Sequence, residues 1–146
     1  MKYIAYGSNM SAGQMRHRCP HAKLIGIGWL PNARLEFYLH ATVEASESSE
    51  DRVPVAVWEI SKNDEARLDV YEGYPAYYTK EHRRIKMDDG SEINGMVYIM
   101  KEIRNHPPTD KYYSGILDAY YDLGLVFEIR RVLAPARMRS LVRATA

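Results

Sequence analysis

The order of elements in this sequence predicts a mixed α/β (α+β) fold with substantial antiparallel pairing. Three observations carry that expectation. An Asp89-Gly90 turn signal divides two β-like runs, Thr79–Met87 and Glu92–Met100, as in a hairpin. Apolar and tyrosine residues at Tyr112, Tyr113, Ile116, Leu117, Tyr120 and Tyr121 recur in pairs four apart, a helical stripe closed by Gly124. Before both, strand-like runs broken by turn formers precede a capped helix, so the main order is strands, helix, hairpin, helices.

Taken in order, Lys2 to Tyr6 reads as a short strand with Tyr3, Ile4 and Tyr6 as its β-forming residues. Gly7, Ser8 and Asn9 are turn formers, Ser11 is a helix cap, and Ala12 to Arg18 is a short helix ended by Cys19-Pro20. Two β-like runs follow, Leu24–Leu30 and Arg34–His40, divided by Pro31-Asn32. Gly26 and Gly28 in the first run imply a strongly bent strand or close packing against another backbone. The acidic, serine-rich stretch Glu44 to Arg52 reads as an exposed loop of low order, and Val53 to Ile60 as a largely apolar central strand. Ser61 with Asp64 approximates a capping box for a helix that Gly73 stops. His106 to Pro108 is an irregular connection, and Leu125, Ile129, Val132 and Leu133 continue at helical spacing. The basic tail, about residues 134–146, reads as frayed.

The chain has 146 residues, the length of one domain, and residues 1–146 are expected to form one. A formal net charge of +1 offers no electrostatic case for nucleic acid or an anionic membrane surface. The single cysteine, Cys19, excludes an internal disulfide, and a reducing, cytoplasmic setting fits. No signal-peptide pattern opens the chain, and no apolar run approaches the roughly 18 residues of a membrane span. The five histidines are scattered without metal-ligand spacing, so no metal site is expected. Twelve tyrosines against two phenylalanines point to a core or pocket whose walls carry hydroxyls.

Two stretches carry chemistry. Strand, Gly7-Ser8-Asn9 turn and helix start leave several backbone N–H groups in one small space, which suits a carboxylate, a phosphate or a developing oxyanion. The same residues also suit an ordinary tight turn before a capped helix. Neither a phosphate loop nor a dinucleotide fingerprint fits, because the required Gly-Lys-Ser/Thr and further glycines are missing. The second stretch is Leu68 to Tyr78, in which Glu72 falls at a helix C-terminus, the end that disfavours an anion. Tyr71, Tyr74, Tyr77 and Tyr78 flank it, and desolvation by their rings would raise its pKa further. A carboxyl raised towards neutrality can take a proton in one step and return it in the next; a surface glutamate at a helix end is the plain alternative. Tyr112 stands at a helix entrance after a proline turn and is the stripe residue nearest to a pocket role.

With "YGSNM" near its start, "YEGYPAYYTK" in its middle and "PPTDKYYSGI" later, the chain resembles the gamma-glutamylcyclotransferase-like family. The likeness runs roughly from Lys2 to Leu133, and Met10 stands where leucine is more usual. The resemblance implies a small, strongly twisted, barrel-like mixed sheet with surrounding helices. It makes Tyr6, Gly7, Ser8, Asn9 and Met10 the substrate-binding loop, Glu72 the general acid/base, and Tyr78 and Tyr112 pocket tyrosines. The implied reaction is intramolecular aminolysis of a small γ-glutamyl substrate to 5-oxoproline, with no cofactor. The amine half of that substrate would lie outside the glutamyl grip, against loops such as Glu44–Arg52. A non-catalytic ligand-binding module and another amide acyl transfer or hydrolysis are the competing readings of the same pocket.

Overall fold

A computed structural model describes residues 1–146. Its centre is a closed five-stranded barrel in the order β1-β5-β2-β6-β7, formed by Lys2–Ala5, Arg52–Glu59, Lys23–Pro31, Tyr78–Met87 and Glu92–Met100. All pairs are antiparallel except the closing one, where β1 meets β7 in parallel at Tyr3 and Met96. Closure needs close approach: a Cβ on Gly95 would stand 2.7 Å from Ile4 Cγ1. Gly28 does the same between β2 and β6, where a Cβ would meet Ile85 Cδ1 at 2.8 Å, and Gly26 sits at a register shift in β2. The two glycines thus mark close packing and a bulge, as the sequence implied.

β5 is central, and Val53 to Trp58 are buried without alternation because both its faces are covered. A separate two-stranded sheet, β3 (Ala33–Tyr38) and β4 (His40–Ala45), packs against β5 and β7 of the barrel. Here the structure departs from the sequence expectation twice. The run expected over Arg34–His40 ends at Tyr38, residues 40–45 form a second strand that takes Glu44 and Ala45 out of the expected Glu44–Arg52 loop, and the following Ser46–Asp51 segment is tied by a 2.6 Å bond from Ser46 Oγ to Asp51. The β6–β7 loop is also one residue longer than a two-residue turn: Met87 N–H donates to Ser91 O across Asp88, Asp89 and Gly90, with Gly90 at φ +88°.

Helix α1 (Ala12–Arg18) is capped by Ser11, whose hydroxyl accepts from Gln14 N–H at 3.3 Å. Helix α2 (Lys62–Glu72) opens with the full reciprocal Ser61–Asp64 capping box and ends at Gly73, which adopts φ +66°. Helix α3 (Asp110–Asp122) buries Tyr113, Ile116, Ala119 and Tyr120, while Tyr121 faces outward. After it, α4 (Val126–Glu128), a wide turn at Ile129–Leu133 and α5 (Ala134–Thr145) run on as one helical stretch. The tail is therefore docked and not frayed. Arg139 donates to both Glu36 carboxylate oxygens at 2.9 and 3.2 Å and to Leu35 O, and Arg143 donates to Phe37 O at 2.9 Å. Breaking that clasp would leave Glu36, 5% exposed, as an unpaired buried charge. No helix is long and apolar enough to cross a membrane.

Candidate functional site

The end of β1, the end of α2, the start of β4 and the start of α3 converge on a cavity of about 440 Å³. Eight of the twelve tyrosines line it, which realises the hydroxyl-walled pocket that the composition implied. Several of these hydroxyls are tied to main chain. Tyr6 donates to Tyr98 O at 2.6 Å, and Tyr78 donates to Ala41 O at 2.9 Å. Tyr112 accepts from Ala41 N–H at 3.1 Å, so Tyr78 and Tyr112 hold the two ends of one residue's backbone. Burial pushes all three phenols up, which keeps them neutral hydrogen-bonding groups near neutral pH.

The Gly7-Ser8-Asn9 stretch is a tight turn, Ser8–Met10 forming one turn of 3₁₀ helix between β1 and α1. Gly7, Ser8 and Asn9 line the cavity, and a Cβ on Gly7 would stand in ordinary contact with Ala41 at 3.4 Å and the Tyr112 hydroxyl at 3.5 Å. Met10 departs from the expectation that placed it in the substrate loop. It is 1% exposed in the core, and its N–H donates back to Gly7 O at 3.0 Å. The turn rotates this side chain inward because an apolar residue there has a core to fill. Of the donors counted from the sequence, those of Gly7, Ser8 and Asn9 remain for a ligand. The Asn9 amide is itself engaged, donating to Tyr3 Oη at 3.0 Å and accepting from Arg18 at 2.6 Å.

Glu72, the last residue of α2, lines the same cavity as the turn. It keeps a little solvent access, but burial of its carboxyl pushes the pKa up to about 7, against the opposing pull of the Arg18 charge. A carboxyl at that value is close to half ionised at neutral pH, the condition for accepting and returning a proton. Of the flanking tyrosines named from sequence, Tyr71, Tyr77 and Tyr78 line the cavity, and Tyr71 Oη meets Ser8 Oγ at 3.3 Å. Tyr74 turns away, its ring lying 4.2 Å from Lys80 Nζ.

Sequence reasoning passed over the far end of the cavity. There Tyr38, Leu39, His40 and Ala41 at the β3–β4 tip share the lining with Met100 at the end of β7 and with Glu102 and Arg104 after it. The Glu44–Arg52 loop does not reach it. Leu39, a non-glycine residue at φ +66°, is the one strong signal of this region, and it is visible only in the backbone. Cys19 plays no part: it is buried, and desolvation pushes its thiol up to about 11.

The model of the family described as Gamma-glutamyl cyclotransferase, AIG2-like, matches residues 3–120, which include both the turn and Glu72. The gamma-glutamylcyclotransferase of Bos taurus is 26% identical over 142 residues, covering 90% of this chain and 76% of the relative. A solved structure titled gamma-glutamyl cyclotransferase superposes with a TM-score of 0.82 at 26% identity, covering 92% of this chain and 86% of that one. An uncharacterized protein from Homo sapiens superposes at 0.81 with 27% identity, covering 91% and 85%. The barrel, the turn and the central glutamate stretch thus fall within one matched span, and the chain belongs to the AIG2-like gamma-glutamyl cyclotransferase family.

Proposed function

We propose that this protein is an enzyme that releases 5-oxoproline from a small γ-glutamyl amine or peptide, with Glu72 as general acid and base. The observation that carries the reading is a carboxyl raised to about 7 on the same cavity as the Gly7–Asn9 donors. The substrate's α-ammonium gives a proton to the Glu72 carboxylate, and the freed amine attacks its own γ-carbonyl carbon. The carbonyl oxygen becomes an oxyanion that the N–H groups of Gly7, Ser8 or Asn9 can receive. Glu72 returns that proton to the leaving nitrogen, and collapse of the tetrahedral intermediate breaks its bond to carbon; the carboxylate then takes the second proton from the ring nitrogen, giving the neutral lactam, and passes it to the freed amine, which departs as ammonium. No water enters the product.

Holding the glutamyl part at the turn while Glu72 addresses its amine curls the chain towards a five-membered ring, so proximity supplies much of the rate. A cavity of about 440 Å³ is of a size for such a molecule. The neutral phenols of Tyr78 and Tyr112 support the reading by walling the cavity without adding charge beside the carboxyl, and Tyr112, which accepts from Ala41 N–H, keeps its own proton to donate. One connected apolar core running from Tyr3 to Ala136 supports treating residues 1–146 as a single domain.

The test is to incubate the purified protein with γ-glutamyl amines differing in their amine half and to assay 5-oxoproline. Glu72→Gln, of nearly the same shape, is expected to form none at a comparable rate. A ligand bound tightly but recovered unaltered by wild type would favour a binding module, and 18O from water in the product would favour hydrolysis.

A further inference from the structure

Arg18 ends α1 and has no role in the chemistry just described. A cation in the last turn of a helix has an ordinary explanation, since it complements the negative end of the helix. Its contacts go further. The guanidinium carbon lies 3.5 Å from the centroid of the Tyr71 ring, and Nη1 donates to Asn9 Oδ1 at 2.6 Å. Asn9, 2% exposed, is held on its other sides by Tyr3 and by Trp58, whose Nε1 donates to Asn9 O at 2.9 Å. Tyr71 is the residue before Glu72 and reaches back to Ser8. One half-buried side chain therefore touches both the turn and the helix end that bears the carboxyl.

We infer that Arg18 is a positioning residue of this site, clamping the Gly7–Asn9 turn to the end of α2 and fixing a positive charge beside that helix end. Its catalytic consequence rests on the cyclotransferase reading; the contacts and the charge do not. The other groups facing Glu72 are phenols: Tyr3 and Tyr6 at β1, Tyr78 on β6, Tyr98 on β7 and Tyr112 on α3. Burial pushes each of them up, so none carries charge between pH 5 and about pH 9. His40, Glu102 and Arg104 stand at the cavity's far end and leave the carboxyl's balance to burial and Arg18. Without Arg18 the carboxyl holds its proton to higher pH, and the turn loses the partner of its buried amide oxygen.

The experiment compares wild type with Arg18→Gln, which keeps a donor for Asn9 but no charge, and Arg18→Lys, which keeps charge but not the planar fork or the stack. The pH dependence of kcat/KM for 5-oxoproline release is measured, and the Glu72 carboxyl is titrated by carbon NMR. Arg18→Gln is expected to move the acid limb and the carboxyl titration to higher pH, with kcat/KM at pH 6 falling about tenfold. Arg18→Lys is expected to bring both titrations back towards wild type while KM stays raised. Folded variants with an unmoved Glu72 titration and KM within about twofold of wild type would overturn the inference. If wild type forms no 5-oxoproline, the cyclotransferase reading falls, while the NMR titration still decides whether Arg18 acts on Glu72.

Discussion

At its inner end the cavity is walled by residues of the barrel strands and the first helix turns, whereas its outer end is made from the β3–β4 tip and the segment after β7. The inner hydroxyls are used up on the protein itself: Tyr6 on Tyr98 O, Tyr78 on Ala41 O, and Tyr98 on Asp69 at 2.6 Å. The outer residues Glu102 and Arg104 are exposed and take part in no ion pair, and Leu39 holds a left-handed backbone whose N–H donates to His106 O. The difference teaches a division of labour. An end whose hydroxyls are mostly tied to the protein and that is poorly hydrated can hold a carboxyl near neutrality, while a more open end can vary in sequence without disturbing it.

The widest separation between the two ends is expected for Glu72→Gln, which should lower kcat about 10³-fold with little change in fold, measured by 5-oxoproline release and circular dichroism. Next comes the pH dependence of stability. The folded Glu72 carboxyl titrates at about 7 against an ordinary 4.5, so the folded state binds its proton more tightly than the unfolded chain does. That contribution is fully present below pH 4.5 and is lost as pH rises through 7, a loss of at most about 3 kcal/mol. Urea unfolding of wild type and Glu72→Gln between pH 4 and 8 should show wild type falling relative to the variant; parallel curves would mean that the carboxyl is ordinarily hydrated.

Tyr78→Phe should cost about 2 kcal/mol, because Ala41 O loses its donor in a buried place, and should raise KM as the β4 start shifts. Unfolding midpoints and steady-state kinetics measure the two effects. The smallest effect belongs to the outer end. Leu39→Gly relieves a left-handed conformation but loosens the unfolded chain, so stability should stay within about 1 kcal/mol of wild type. Its kcat should hold within about twofold while the ranking of KM among γ-glutamyl amines changes. A loss of kcat approaching that of Glu72→Gln would erase the distinction between the ends.

Part of the fold is legible in the sequence because short-range chemistry marks it. The Ser61–Asp64 box and Gly73 bounded α2, and Asp89-Gly90 located the β6–β7 hairpin. The β3–β4 hairpin was missed because its turn is the single residue Leu39, with none of the Gly, Asn or Asp that usually mark one. The docked tail was missed because Arg139 finds Glu36 at a separation of 103 residues. Met10 was misplaced because a motif gives residue order and not the rotation of the turn that carries it.

By itself the sequence determined the element order, the caps and turns, and the "YGSNM" and "YEGYPAYYTK" stretches that mark the family, since these depend on backbone preferences within a few residues. Only the tertiary structure decided that the carboxyl of Glu72 is poorly hydrated, that eight tyrosines share one cavity with it, and that Arg18 stands behind it. Desolvation and charge coupling are sums over neighbours from β1, β6, β7, α1 and α3, and those neighbours meet only when the barrel closes.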